Sequence, residues 1–110
     1  MHIVVLAGGY SPERDVSLSS GSLIANALIE RGHRVLLLDV YEGMPSLPAD
    51  TDALFQSTPY DPYVIPTSVP DLDALRARVN NGGSLIGRNV LSLCRLADKV
   101  FLALHGAMGE

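Results

Sequence analysis

Two polar segments rich in glycine, near opposite ends of the chain, contain the side chains best suited to binding or catalysis. The first runs from residue 8 to residue 21 and includes Glu13, and the second runs from residue 103 to residue 110 and includes His105. Each segment follows a short aliphatic run that is typical of a buried parallel strand. Ligands of open α/β sheets bind at the carboxyl ends of the strands, where the strand order reverses. We therefore predict that the two segments meet in one ligand site.

Glu13 is the candidate catalytic acid of the first segment. Gly8 and Gly9 allow a sharp turn after the strand, Pro12 stiffens the loop, and Glu13 then stands beside a helix amino terminus. The helix dipole favours an ionised carboxylate, which can hold the ammonium group of an amino acid or orient a hydroxyl group. The same position suits an acid that only caps the free amides of the helix. The residues alone leave both interpretations open.

Three further residues have candidate roles at the same sheet edge. His105 precedes Gly106, so its ring can reach the crevice or can serve only the structure. Arg14 can pair with a nearby carboxylate or can bind a phosphate. Ser17 can form hydrogen bonds at the helix start and support the loop. Spacing alone does not choose between these roles.

The elements around these residues predict a parallel α/β sheet. Ile3–Leu6 and Val35–Leu38 are continuous apolar runs, which fits strands buried on both faces. Between them, apolar residues recur at helical spacing from Val16 to Arg31, and Gly32 supplies a helix stop. A right-handed β-α-β crossover with parallel strands follows from this order. We expect a Rossmann-like open parallel sheet with flanking helices.

From Tyr41 to Asp71 the regular pattern is lost, because six of the seven prolines lie between residues 45 and 70. We predict a long irregular connection here, with short edge strands at residues 53–55 and 63–65. A helix from residue 71 to residue 80, a helix after Arg88 and a last strand over residues 100–104 are predicted to follow.

Composition limits the classes of function. The chain has 110 residues, 47% of them hydrophobic, and a net charge of -4 without a lysine or arginine cluster. These values predict one soluble domain and argue against a nucleic-acid or membrane surface, since both need a basic face. The single cysteine, Cys94, is expected to be a buried thiol. The first apolar run is too short for a signal peptide or a membrane span, so we expect a cytoplasmic location.

Nucleotide-binding motifs do not fit the first segment. A dinucleotide fingerprint from Gly8 would need glycines at the positions of Tyr10 and Glu13, although Asp39 stands where a ribose-binding acid would. A Walker loop would need a glycine-lysine pair that the segment lacks. The front half of an NAD-dependent oxidoreductase is therefore a minor alternative, to be tested by NAD binding and by substitution of Asp39.

The two segments together resemble the amino-terminal domain of D-alanine–D-alanine ligases. The matching residues are Gly8-Gly9-x-Ser11-x-Glu13-Arg14-x-Val16-Ser17-Leu18-x-Ser20-Gly21 and Ala103-Leu104-His105-Gly106-x-x-Gly109-Glu110, in the family's order. Residues 85–90 also look like members with a longer inserted connection. The family carries this domain ahead of an ATP-grasp module. The resemblance implies that residues 1–110 are the amino-terminal substrate domain of a multidomain ligase, and a chain that stops directly after a strand and loop fits this expectation.

The resemblance also implies a substrate site. Glu13 would bind the amino group of the first D-alanine, Val16 would line the pocket for its methyl group, and Ser17 and His105 would lie at the same substrate. In the family's reaction, ATP phosphorylates the carboxylate of the first D-alanine, and the amine of the second attacks the acyl phosphate. The product is the dipeptide used in peptidoglycan. ATP and Mg2+, and the determinants of the second substrate, would belong to the part of the enzyme beyond this domain.

Two further expectations concern the domain by itself. Residues 1–110 alone should have no ligase activity, and the family's frequent pairing through this domain implies a homodimer. The alternative outside the enzymes is a free-standing domain for small-molecule binding or dimerisation.

Overall fold

A computed structural model describes residues 1–79 and 83–104, which form a parallel sheet with helices on both faces. The elements in chain order are β1 (His2–Ala7), α1 (Arg14–Glu30), β2 (Arg34–Asp39), a 3-10 helix (Thr51–Leu54), α2 (Leu72–Val79), α3 (Val90–Leu96) and β3 (Lys99–Leu102). The strand order is β2-β1-β3, and β1 pairs in parallel with both neighbours. The predicted α/β fold is confirmed. No described helix is long and apolar enough to cross a membrane.

The central strand β1 is buried on both faces because successive side chains point to opposite sides of the sheet. On one face β1 and β2 pack against α3 and the residue after the 3-10 helix, in a cluster made of Val4, Leu6, Leu36, Leu38, Val40, Phe55, Val90 and Leu93. On the other face they pack against α1, in a cluster made of Ile3, Val5, Ala7, Ala25, Ile29, Val35 and Ala103. Two hydrophobic layers therefore fix β1 and the loop that leaves it.

The strand order reverses at β1, so the carboxyl ends of β1 and β3 are neighbours. Leu6 is paired with Leu102, and the N–H of Ala103 donates to the carbonyl of Leu6 at 2.8 Å. The predicted adjacency of the two strands that lead into the polar segments is confirmed. His105 and the rest of the second segment lie outside the described residues.

The structure corrects the predicted elements mainly at their ends and within the irregular connection. Helix α1 begins at Arg14, two residues before its predicted start, and β3 ends at Leu102, two residues before its predicted end. The predicted strand at 53–55 is wrong, since Thr51–Leu54 is a 3-10 helix whose bonds turn the chain and bury the Phe55 side chain. The predicted strand at 63–65 is also wrong, because that segment has no ladder partner among the described residues.

The proline-rich connection is fastened to the outer edge of β2 by side chains. The Tyr60 hydroxyl donates to the carbonyl of Val35 at 2.7 Å and accepts from the N–H of Leu37 at 3.1 Å. Asn26 of α1 exchanges two hydrogen bonds with the backbone of Tyr60, at 3.0 and 2.7 Å. These bonds satisfy backbone groups that an uncovered edge strand would leave open for pairing.

Candidate site at the carboxyl end of β1

The loop from β1 to α1 turns through two glycines with left-handed backbone conformations. Gly8 has φ of 73° and Gly9 has φ of 93°. A Cβ atom at Gly8 would stand 2.5 Å from a carboxylate oxygen of Asp39, so a larger residue would collide with it as well as strain the backbone. The loop then closes through the N–H of Arg14, which donates to the carbonyl of Ser11 at 3.1 Å. This tight turn places Glu13 directly before α1.

Glu13 is exposed at the amino end of α1, and its side chain makes no capping hydrogen bond to the helix. Within the described residues its carboxylate accepts one hydrogen bond, from the Ser11 hydroxyl at 2.8 Å. Ser11 is 1% exposed and also accepts from the N–H of Glu13 at 3.1 Å, so its orientation is fixed. The capping alternative is therefore not the arrangement observed. The carboxylate is held in place, open to solvent and available to a cationic group.

Arg14 points the opposite way and is buried, with 7% of the residue exposed. Its guanidinium donates to the carbonyl of Gly9 at 2.6 Å, to Asp39, and to Glu42 at 3.1 Å. Of the two roles predicted for Arg14, the structure shows the pairing with carboxylates. A planar guanidinium with these three acceptors is not directed toward the crevice, so Arg14 does not fit a phosphate in this conformation.

Asp39, at the end of β2, is the partner that organises this loop. Its Oδ1 atom accepts from the N–H groups of Gly9 at 3.3 Å, Tyr41 at 2.9 Å and Glu42 at 3.2 Å, while Oδ2 accepts from Arg14. Both oxygens thus have partners within the domain. This argues against Asp39 as the ribose-binding acid of an NAD site. The sequence carries a signal for this supporting role of Asp39, because an acid that directly follows a buried strand can reach the glycine loop at the end of the neighbouring strand.

Glu42 links the buried ion pair of Arg14 and Asp39 to a charged side chain at the surface. Arg78 of α2 donates to the second oxygen of Glu42 at 2.6 Å. Burial opposes ionisation of Glu42, but the hydrogen bond from Arg78 and the charges of Arg78 and Arg14 outweigh it and lower its pKa. Helix α2 is therefore tied by an ion pair to the loop that supports the site.

Ser17 lies one turn into α1 and connects the two strand ends. The residue is 0% exposed, its hydroxyl accepts from the N–H of Gly8 at 2.9 Å, and it donates to the carbonyl of Ala103. The hydroxyl has a single hydrogen, which is used in the bond to Ala103. The geometry thus gives Ser17 the loop-supporting role, joining the first segment to the start of the second.

Val16 faces a shallow pocket on the outer side of the helix start. The pocket has a volume of about 180 Å³ and is lined by Pro12, Asp15, Val16 and the segment 65–70. The Tyr63 hydroxyl holds this segment near α1 by donating to Asp15 at 2.6 Å. Burial, followed by the hydrogen bond to Asp15, raises the pKa of Tyr63 to about 12. Val16 is 46% exposed, so its side chain is accessible to a small apolar group.

Of the four predicted site residues, the structure places Glu13 directly before α1 and Val16 and Ser17 on its first turn, while His105 falls outside the described residues. Ser11 and Tyr63 were not singled out as site residues by the sequence. Ser11 carries a signal, since a serine two residues before an acid at a helix start can bond to it. Tyr63 carries none, because its partner is 48 residues away. In the described parts of the chain, no group of three or more His, Cys, Asp or Glu side chains is placed to hold a metal.

Comparisons with known proteins agree on one family. The family model described as D-ala D-ala ligase N-terminus matches residues 2–110. The D-alanine–D-alanine ligase of Lacticaseibacillus casei is 40% identical over 112 residues, which cover 100% of this chain and 31% of that protein. The ligase of Pediococcus pentosaceus is 43% identical over 115 residues, covering 100% of this chain and 32% of that protein. That of Coprothermobacter proteolyticus is 62% identical over 39 residues, covering 36% of this chain and 13% of that protein.

The chain spans about a third of the length of the first two of these relatives. The family-model match over nearly all of its residues carries the assignment, and the parallel sheet with its loop at the end of β1 is in accord with it. The chain therefore belongs to the D-alanine–D-alanine ligase family and corresponds to the amino-terminal domain.

Proposed function

We propose that this domain binds the first D-alanine in an ATP-dependent D-alanine–D-alanine ligase, with Glu13 holding the ammonium group. The observation that carries the proposal is the Glu13 carboxylate, which is exposed at a strand-order reversal and is oriented by Ser11 instead of being used to cap α1. A positioned carboxylate and an ammonium group form a charge-assisted hydrogen bond. The likeness to proteins named D-alanine–D-alanine ligase supplies the substrate class.

Val16 completes the proposed contact with the amino acid. It follows Glu13 by three residues, so both lie on the same side of the first helical turn, and both are exposed. A carboxylate beside an apolar side chain suits a small α-amino acid, with its ammonium group toward Glu13 and its methyl group toward Val16. We propose His105 as a further contact from the neighbouring strand end, and Ser17 as the residue that holds the two strand ends together.

The reaction that we propose divides the work between this domain and the rest of the ligase. ATP, when bound, supplies the phosphoryl group that activates the carboxylate of the first D-alanine. Among the described residues Arg14 is engaged internally and offers no phosphate site, so we assign ATP and Mg2+ to the part beyond this domain. The domain contributes orientation, because an amino acid held by its ammonium and methyl groups presents its carboxylate in one direction.

The test is the kinetics of Glu13→Gln in the complete ligase. Loss of a charge-assisted hydrogen bond, worth about 1.5–3 kcal/mol, should raise the KM for the first D-alanine roughly 10- to 100-fold. Glu30→Gln is the matched control, since it removes the same charge from the other end of α1, where Glu30 is exposed. A KM for the first D-alanine that is equal in the two variants would remove Glu13 from the site.

The domain's behaviour in isolation gives a second test of the same proposal. Residues 1–110 alone should release no ADP from ATP in the presence of D-alanine, because the proposed role is binding and orientation. Measurable turnover by this chain would contradict the assignment of the nucleotide site to the rest of the enzyme. The proposed homodimer is tested separately, by the mass of the complete ligase in solution.

A further inference from the structure

We infer that Arg14 and Asp39 form a clamp on Gly9 that sets the position of the Glu13 carboxylate, so that both are positioning residues for the first D-alanine. The inference rests on the proposed role of Glu13 and concerns how that side chain is placed. The carboxylate of Asp39 accepts from the N–H of Gly9, and the guanidinium of Arg14 donates to the carbonyl of Gly9. The side chains of Arg14 and Asp39 also bond to each other. Both polar groups of one loop residue are therefore held by one ion pair.

The clamp acts at both ends of the short loop that carries Glu13. At the start, Gly9 is fixed by the ion pair. At the end, the backbone N–H of Arg14 donates to the carbonyl of Ser11, and the Ser11 hydroxyl donates to Glu13. One residue, Arg14, thus supports the loop with its side chain and with its main chain. Movement of the Arg14 guanidinium would shift Gly9 and, through residues 10–12, the carboxylate of Glu13.

Burial makes this ion pair sensitive to small changes. The side chains of Arg14 and Asp39 are 8% and 13% exposed, so water cannot readily replace a lost bond. The fork of the guanidinium reaches Gly9 with one nitrogen and Asp39 with the other. A lysine at this position retains the positive charge but has a single nitrogen, and it cannot reproduce both contacts in this geometry.

The experiment compares Arg14→Lys with Arg34→Lys in the complete ligase, alone and combined with Glu13→Gln. Arg34 makes three hydrogen bonds at the opposite end of β2, to Asp52 and to the carbonyl of Phe55. It therefore controls for general loss of stability. We expect Arg14→Lys to raise the KM for the first D-alanine roughly tenfold, less than the hundredfold attributed to a 1 Å misplacement. The kcat and the KM for ATP should change little, and Arg34→Lys should change none of the three.

The double variants decide whether Arg14 acts through Glu13. If it does, adding Arg14→Lys to Glu13→Gln should raise the KM no further, because the group being positioned is already lost. If the two substitutions instead multiply their effects on the KM in the double variant, the inference is overturned. It is also overturned if Glu13→Gln raises the KM and Arg14→Lys leaves it unchanged. The proposed function would survive both results. An unchanged KM in Glu13→Gln would overturn the proposed function together with the inference.

A second variant keeps the test valid if Arg14→Lys does not fold. Asp39→Asn leaves the acceptors of Arg14 on Gly9 and Glu42 in place, removes the charge of Asp39 and replaces one of its two acceptor oxygens with an NH2 donor. Either the bond from Arg14 or the bond from the N–H of Gly9 is therefore lost. The same rise in the KM for the first D-alanine, absent in the Glu13→Gln background, is expected. Arg78→Met gives a graded control, since Arg78 is exposed and, within the described residues, bonds to the outer oxygen of Glu42, away from Gly9. Arg78→Met should leave the KM for the first D-alanine unchanged, and an effect equal to that of Asp39→Asn would overturn the inference.

Discussion

Replacement of Ser17 by alanine should destabilise the domain by about 3 kcal/mol, because one hydroxyl joins two strand ends. The hydroxyl is the partner of the Gly8 N–H and of the Ala103 carbonyl, and Ser17 is 0% exposed. Alanine would leave both backbone groups buried without this partner, at about 1–3 kcal/mol for each. Total stabilities of domains are about 5–15 kcal/mol, so the loss is a large fraction of the whole.

Ser22→Ala is the matched control for this prediction. Ser22 lies in the same helix and is 2% exposed, but its hydroxyl donates locally to the carbonyl of Ser19 at 2.8 Å and accepts only a long bond, at 3.5 Å, from the N–H of Tyr63. Because that carbonyl lies within the helix ladder, we expect a loss of only about 0.5 kcal/mol. Urea unfolding of the 110-residue chain measures both values. With an unfolding entropy of about 2.1 cal/mol/K per residue, Ser17→Ala should lower the melting temperature by about 13 °C. Equal losses in the two variants would refute the reasoning.

Three other perturbations test the packing and the ionisable groups. Gly21→Ala should cost about 1–2 kcal/mol in urea unfolding, despite the higher helix propensity of alanine, because its Cβ would lie 2.7 Å from the Cβ of Ala7. Tyr63 should titrate near pH 12 by absorbance, and its raised pKa implies stability that is present below pH 10 and lost as the pH rises toward 12. Burial also raises the pKa of Tyr60, so Tyr63→Phe should remove one tyrosine from the late absorbance change and leave that of Tyr60. Cys94, predicted to be buried, is only partly buried beside the cluster that contains Leu93. This partial burial raises the pKa of its thiol, so its alkylation at pH 8 should be slower in the folded chain than in urea, and equal rates would contradict that effect.

The central β-α-β unit was predictable because each of its elements carries a local signal. The strands around Val4 and Leu36 are unbroken apolar runs, and α1 has apolar residues at helical spacing. The predicted ends of these helices and strands were less accurate. Helix α1 starts at Arg14, before its first buried apolar residue, since the turn is closed by a backbone bond to Ser11 that hydrophobic spacing does not reveal.

The irregular connection was not predictable in the same way, because what fixes it is distant in sequence. Tyr60 and Tyr63 are held by bonds to β2 and α1, from residues more than twenty positions away. A pattern-based interpretation favoured strands at 53–55 and 63–65 from their β-branched and aromatic residues. The hydroxyl of Tyr60 instead occupies the edge of β2 that a neighbouring strand would use.

The candidate site shows why the motif at the start of α1 has its particular order. With 3.6 residues per turn, residues three positions apart lie about 60° from each other around the helix axis, so 13 and 16 are neighbours and so are 14 and 17. Glu13 and Val16 are exposed, and Arg14 and Ser17 are buried. The first pair leaves a carboxylate and an apolar side chain open to solvent, whereas the second pair attaches the helix to Gly9, Asp39 and the end of β3. Exposed and anchoring residues are thus interleaved within five residues, so a one-residue shift, which turns the helix by about 100°, would break the bonds of Arg14 and Ser17 that hold the loop.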